Sequence, residues 1–239
     1  MSGDCWSQAA MSDSLLALFS LAATVAFYYL TKLAYQRKRV VWRAPILVAP
    51  LAVIALVMGL RIPLDDYFHY THLLVMMLGP ATIAFAVPIY QQRGIIRRYP
   101  VTLVIGVLTG LLLGLLSSWL LVRLFPLPVE LANSMLVRSV STPFAMEAAS
   151  TFGGVPDITA MLVLITGITG MVLCEPVFRV VRIRTSLAKG VALGASAHGA
   201  GTAKARELGN EEGVIASLTM IFTGIAMVMG APLFAHVLG

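Results

Sequence analysis

Charge is scarce in this chain. Only 12% of its 239 residues are Asp, Glu, Lys or Arg, about half of the roughly one quarter found in soluble domains. Cysteine is scarcer still. Cys5 and Cys174 stand alone, which excludes a zinc site of paired cysteines and a disulfide framework. Cys174 lies in an apolar stretch and reads as a small hydrophobe. Residues 1–13 contain no Lys or Arg, so the first apolar block is not expected to be a cleaved signal peptide, which needs a basic n-region. The positive charges follow the first apolar block instead, at Lys32, Arg37, Lys38 and Arg39. That order predicts a retained first span with its N-terminus outside. The net charge is +6, but no basic face with interleaved aromatics accompanies it, so nucleic acid is not an expected partner. No nucleophile and base fall into a catalytic pattern, and no enzyme activity is expected.

What the chain has in abundance is apolar sequence. Hydrophobic residues make up 59%, and the mean hydropathy is +0.89. These residues come in blocks near the ~20 that a helix needs to cross a bilayer. Six blocks read as full spans: Ser14–Leu33, Ala44–Leu60, His72–Tyr90, Val101–Val122, Asp157–Phe178 and Gly213–Leu238. The fold class is therefore an all-α polytopic membrane protein. One membrane domain over 1–239 is expected, with scaffold helices in 1–128 and the functional part in 129–239. Membrane lipid is its surroundings.

Two further stretches are apolar but interrupted. Val129–Phe152 carries Arg138 and the break Ser141-Thr142-Pro143. Leu187–Leu208 carries His198-Gly199-Ala200-Gly201-Thr202. In each, the arm before the break holds about ten to twelve residues, or roughly 15–18 Å of helix. That is half of a ~30 Å hydrocarbon core. Loop charge decides whether they cross. The basic loops are 36–43, 91–100 and 179–189, and all three belong on the cytoplasmic side. If both interrupted stretches crossed fully, loop 179–189 with its four positive charges would lie outside. Both are thus expected to be re-entrant hairpins, one from each face, with both chain termini outside.

An internal repeat accords with this. Thr166-Gly167-Ile168 recurs as Thr223-Gly224-Ile225, 57 residues later, and the same offset carries Ser141 onto His198. Each unit is a broken hairpin followed by one span. An odd number of crossings places the second copy upside down, and inverted repeats with broken helices at mid-depth are a transporter arrangement.

Irregular backbone at membrane depth must be buried or line a wet cavity. Ser141 and Thr142 suit a helix cap and Pro143 a first helical position. Gly199 and Gly201 suit a tight reversal, with Thr202 as a cap. The second arms would then aim free N–H groups at the bilayer centre, a setting for a small anion such as a carboxylate. The hydroxyls of Ser139, Ser141, Thr142, Ser196 and Thr202 are candidates to hold a neighbouring oxygen. His198 is the sharpest candidate, as donor to a carboxylate or as proton carrier. The alternative is that these groups mend broken backbone or, for His198, bond the opposite hairpin. Arg138 either attracts the anion, snorkels, or pairs with Glu147. Glu147, Asp157 and Glu175 read as structural, and His69, His72 and His236 as interfacial. No cofactor or metal is expected; a proton or sodium ion is the candidate for coupling.

Taken together, these residues resemble a known family. Arg138-Ser139-Val140-Ser141-Thr142-Pro143-Phe144-Ala145 followed by Gly153-Gly154-Val155-Pro156 resembles the K-S-V-T-T-P-I-A…G-G-x-P signature of the LrgB/CidB family. Arg182-Ile183-Arg184-Thr185 and Gly194-Ala195-Ser196-Ala197-His198-Gly199-Ala200-Gly201-Thr202 are similar to its R-I-R and A-x-H-x-x-G-T motifs, and Gly209-Asn210-Glu211-Glu212-Gly213 to its E-G turn. The chain departs from the family at Ala44-Pro45, commonly Asn-Pro, at Arg138, commonly Lys, and at Ser141, commonly Thr. The resemblance implies one of two functions in a bacterial plasma membrane. One is a carrier for small monocarboxylates such as pyruvate or glycolate, working by alternating access at the two hairpins. The alternative is a holin/antiholin-like pore or regulator of murein hydrolase activity and lysis. It also implies a small LrgA/CidA-type membrane partner. A homo-oligomer is the expected assembly.

Overall fold

A computed structural model describes residues 3–37 and 40–238. All described regular structure is helical. The chain divides into two compact units, Met1–Pro80 and Ala81–Gly239.

In the first unit, α1 (Gly3–Arg37) packs against α2 (Pro45–Leu60) and α3 (Leu64–Met76). Thr24 and Tyr67 join α1 to α3 through their hydroxyls at 3.2 Å. α2 has 16 residues and spans about 24 Å. It is the one expected span that is not among the five helical segments of the described residues long and apolar enough to cross a membrane. Those are Ser14–Arg37, Leu64–Gln91, Pro100–Leu124, Pro156–Val180 and Asn210–Leu238.

Leu64–Gln91 differs from the single span expected over His72–Tyr90. It starts eight residues earlier, with Asp65 and Asp66 in the first turn after Pro63, where acidic side chains suit the helix dipole. It is also broken into α3, α4 (Leu78–Ala84) and α5 (Ala86–Gln91), at Met77 and Phe85. A proline lacks an N–H and crowds the carbonyl four residues back. Pro80 and Pro88 aim that clash at Met76 and Ala84, one residue before each break.

In the second unit, α6 (Arg93–Arg98) leads into α7 (Pro100–Leu124). Then come α8 (Val129–Leu136), α9 (Thr142–Thr151), α10 (Pro156–Val180), α11 (Ser186–Leu208) and α12 (Asn210–Leu238). α8 and α9 form the first hairpin. The Ser134 hydroxyl accepts from the Val155 N–H at 2.9 Å, and Asn133 donates to the Gly153 carbonyl at 3.3 Å. The second half of α8 and the residues just after α9 thus lie at one level, where α10 begins. The hairpin enters and leaves on one side.

α11 is the second hairpin. Its helical path breaks at His198 (φ 47°, ψ −121°). A Cβ on Gly201 would collide with the Leu193 carbonyl, although eight residues of straight helix would hold these about 12 Å apart. The chain has folded back. Lys204 in the returning arm meets Glu175 at 2.8 Å, five residues before the end of α10. A Cβ on Gly190 would lie 2.9 Å from the Glu212 carbonyl, and one on Gly194 would overlap the Ala216 backbone. The outgoing arm and α12 therefore start together and run side by side. This hairpin enters and leaves at the opposite end of α10 from the first.

The two hairpin-plus-helix units repeat in three dimensions. A Cβ on Gly167 of α10 would meet Ala200 at 3.4 Å, at the start of the second hairpin's returning arm. Gly224, its counterpart in α12, abuts Phe144 at the start of the first hairpin's returning arm. Each long helix braces the other unit's hairpin, as an inverted repeat requires. The core reflects the same exchange: Val137, Val140, Phe144, Ala145 and Ala149 of the first hairpin cluster with Met227 and Ala231 of α12.

Candidate solute-binding site

α10 shows how deep the tips reach. Arg138 at the first tip donates from Nη1 to the Thr166 hydroxyl at 3.1 Å. Thr166 is ten residues into α10, about 15 Å from its start. At the second tip, Cβ atoms on Gly167 and Gly170 would lie 3.2 Å from the Ala197 carbonyl and 2.7 Å from the Ala197 Cβ. Both tips rest on the middle of one helix, approached from opposite ends.

The tips carry polar atoms that the protein leaves unused. Ser141 is the residue before α9, with extended backbone (φ −69°, ψ 149°), and the position suits a cap. Its hydroxyl does not cap: Ser141 Oγ is buried and has no hydrogen-bond partner among the described residues. At the equivalent point of the second tip, both ring nitrogens of His198 are buried and have no hydrogen-bond partner among the described residues, and the residue is 2% exposed. A buried polar group without a partner costs about 1–3 kcal/mol. The two residues occupy matched positions of the repeat, 57 residues apart. The N–H groups of the first turn of α9 open at the same tip. Thr142 is the first helical residue there and Pro143 the second, one position later than expected for the proline.

Other expectations are corrected. Thr202 does not cap the returning arm; its hydroxyl donates back to the His198 carbonyl at 2.8 Å and contacts Met220 Sδ at 3.6 Å. The reversal sits on His198, not on the glycines. Gly199 is exposed and has open space around it, whereas Gly201 is needed for the close approach of the two arms. Arg138 does not pair with Glu147 or any other described carboxylate. Glu147 is exposed. Glu175, in keeping with a structural role, is tied to Lys204 and lies 3.7 Å from Arg179.

The structure gathers Arg138, Ser139 and Ser196 along one groove of about 700 Å³, together with Thr166 and the glycines of α7. Ser139 is buried. Ser196 is exposed and its hydroxyl donates to the Ala192 carbonyl at 2.7 Å. α7 supplies a smooth wall: Cβ atoms on Gly110 and Gly114 would lie 2.6 Å from Ala195 Cβ and 2.5 Å from Ser139 Cβ. Sequence reasoning missed Thr166 and this wall. The signal for the wall was present, since Gly106, Gly110 and Gly114 recur every four residues on one helix face. Thr166 had no such signal, because its partner is 28 residues away.

Fold and site together define a multi-pass helical membrane protein with a polar centre enclosed by two opposed hairpins. The chain belongs to the LrgB-like family, whose model matches residues 24–237. It is 38% identical over 217 residues to the uncharacterized protein YwbG of Bacillus subtilis (strain 168), covering 91% of this chain and 96% of that one. It is 28% identical over 215 residues to the holin-like protein CidB of Staphylococcus aureus (strain N315), covering 90% and 94%. With the antiholin-like protein LrgB of Bacillus subtilis (strain 168) it shares 30% over 174 residues, 73% and 75% of the two chains. No solved structure matches it.

Proposed function

We propose that this chain acts as a holin-like or antiholin-like membrane protein. Membership of the LrgB-like family and the names of its relatives CidB and LrgB support this reading most directly. In this role it would open or regulate a passage through the bacterial plasma membrane, and through it murein hydrolase activity, beside an LrgA/CidA-type partner and as a homo-oligomer. Both termini would lie outside.

One observation favours a second, finer reading. Ser141 Oγ and both His198 nitrogens are buried and unpartnered at matched points of two opposed tips. On this ground we propose a carrier for small monocarboxylates, 2-oxo or 2-hydroxy acids such as pyruvate or glycolate. A hydroxyl, an imidazole and the free N–H groups at the start of α9 would hold the acid at mid-depth while access alternates between the two faces. A proton or sodium ion would couple the movement, with His198 the residue able to carry a proton.

Flux in proteoliposomes separates the two. A carrier gives saturable uptake of radiolabelled pyruvate or glycolate that unlabelled acid competes away. A holin-like passage gives unsaturable leakage of unrelated solutes such as sucrose. The assay is run with and without an LrgA-type protein, and with imposed proton and sodium gradients.

A further inference from the structure

The charge at the first tip is unbalanced. The Arg138 guanidinium is anchored at mid-depth by Thr166, so it does not reach toward the polar interface as a snorkelling side chain would. An ionised group inside a membrane protein ordinarily pairs with an opposite charge or with backbone carbonyls. Among the described residues Arg138 has neither: its one hydrogen bond goes to a neutral hydroxyl. Arginine has five N–H donors in a planar fork, and Arg138 Nε is buried with no partner. The Ser139 hydroxyl beside it also makes no hydrogen bond to a described residue. By contrast, Thr109 and Ser117 in the same groove donate to their own helix, to the carbonyls of Ile105 and Gly114 at 2.7 Å and 2.9 Å. The groove, at about 700 Å³, falls within the range of small-molecule sites.

We propose that Arg138, with the Ser139 hydroxyl beside it, is the anion-holding site of this groove, and that the bound solute supplies the counter-charge the protein lacks. This rests on the carrier reading and deepens it: the carboxylate is held by a guanidinium in the α7 groove, while the atoms at Ser141 and His198 serve the remainder of the solute. A single uncompensated cation sets the charge preference. A monoanion neutralises Arg138, a dianion leaves an excess negative charge at membrane depth, and a neutral isostere leaves the guanidinium unpaired. The planar fork also matches a carboxylate in a way that an ammonium does not.

The test is calorimetric titration of the purified full chain in lipid nanodiscs with glycolate, its neutral amide glycolamide, and the dianion malonate. Glycolate should bind at least tenfold more tightly than either of the others. Arg138→Gln should weaken glycolate at least tenfold, Arg138→Lys should fall between the two, and Ser139→Ala should cost a few-fold. Ser150→Ala, on the exposed face of α9, should bind as the unaltered chain does. If Arg138→Gln does not fold, the three-ligand series on the unaltered chain and Ser139→Ala still decide. The proposal is overturned if glycolamide binds as well as glycolate, if the unaltered chain binds no glycolate, or if folded Arg138→Gln keeps its affinity. Saturable uptake that persists unchanged in Arg138→Gln would remove this site and leave the carrier reading standing. Loss of saturable uptake in the unaltered chain would remove the carrier reading itself.

Discussion

At the scale of single residues, His198 combines two costs. Its backbone (φ 47°, ψ −121°) is that of the first central residue of a type II′ turn, a position that glycine favours. The chain has a glycine one residue later, at Gly199, where nothing crowds it. A β-carbon-bearing residue held in such a conformation costs about 1–3 kcal/mol and persists where its surroundings over-determine it. Its imidazole is also buried without a partner. Local folding gains nothing from histidine here, so its presence is explained by what its ring meets. Two substitutions separate strain from function. His198→Gly should unfold later than His198→Ala by about 1 kcal/mol or more, because only glycine relieves the turn. Solute flux should be lost in both. Chemical unfolding of the detergent-solubilised variants, compared with proteoliposome flux, reads the two effects. Equal stabilities would show that the turn is unstrained.

At the scale of elements, the hairpins depend on close backbone approach more than on capping. Gly201 packs onto the Leu193 carbonyl and 2.8 Å from Ala197 Cβ, counted from an added Cβ. Gly201→Val should therefore push the arms of α11 apart, with loss of folded protein in size-exclusion profiles, while Gly199→Ala should fold normally. These elements were unevenly legible in the sequence. The first break was plain, because Pro143 cannot continue a helix from residues upstream and Ser141 suits the preceding position. The second break was legible over 198–202, and the turn lies at its first residue, His198; that a histidine and not one of the glycines takes the turn was not legible, because tertiary packing holds it there. The breaks at Met77 and Phe85 were readable from Pro80 and Pro88, but membrane helices often absorb proline, as α10 and α12 do with Pro176 and Pro232. The Arg138–Thr166 contact was not readable, because spacing along the chain says nothing of which side chains meet across 28 residues.

At the scale of the whole molecule, the two hairpins fix which connections share a side. Single cysteines in a background lacking Cys5 and Cys174 test this with an impermeant thiol reagent. Cysteines at Glu130 and Ser150, before and after the first tip, should label from one face. Cysteines at Arg184 and Glu211, before and after the second, should label from the other. Glu130, Ser150, Arg184 and Glu211 are exposed. The basic loops add an orientation: Arg184 and Arg97 should react from the cytoplasm and Asp66 from outside. Opposite labelling of Glu130 and Ser150 would mean that the first stretch crosses completely.

The reciprocal bracing by α10 and α12 also sets an order of assembly. The first hairpin leaves the ribosome before α12, yet Phe144 rests on Gly224 and the surrounding core on Met227 and Ala231, all in α12. The outgoing arm of α11 likewise leans on Ile215 and Ala216. Until α12 is inserted, both tips present irregular backbone and unpaired polar atoms to the translocon or to lipid. Insertion of α12 is therefore a single step that braces both tips at once, and a nascent chain halted before α12 should hold neither tip in place.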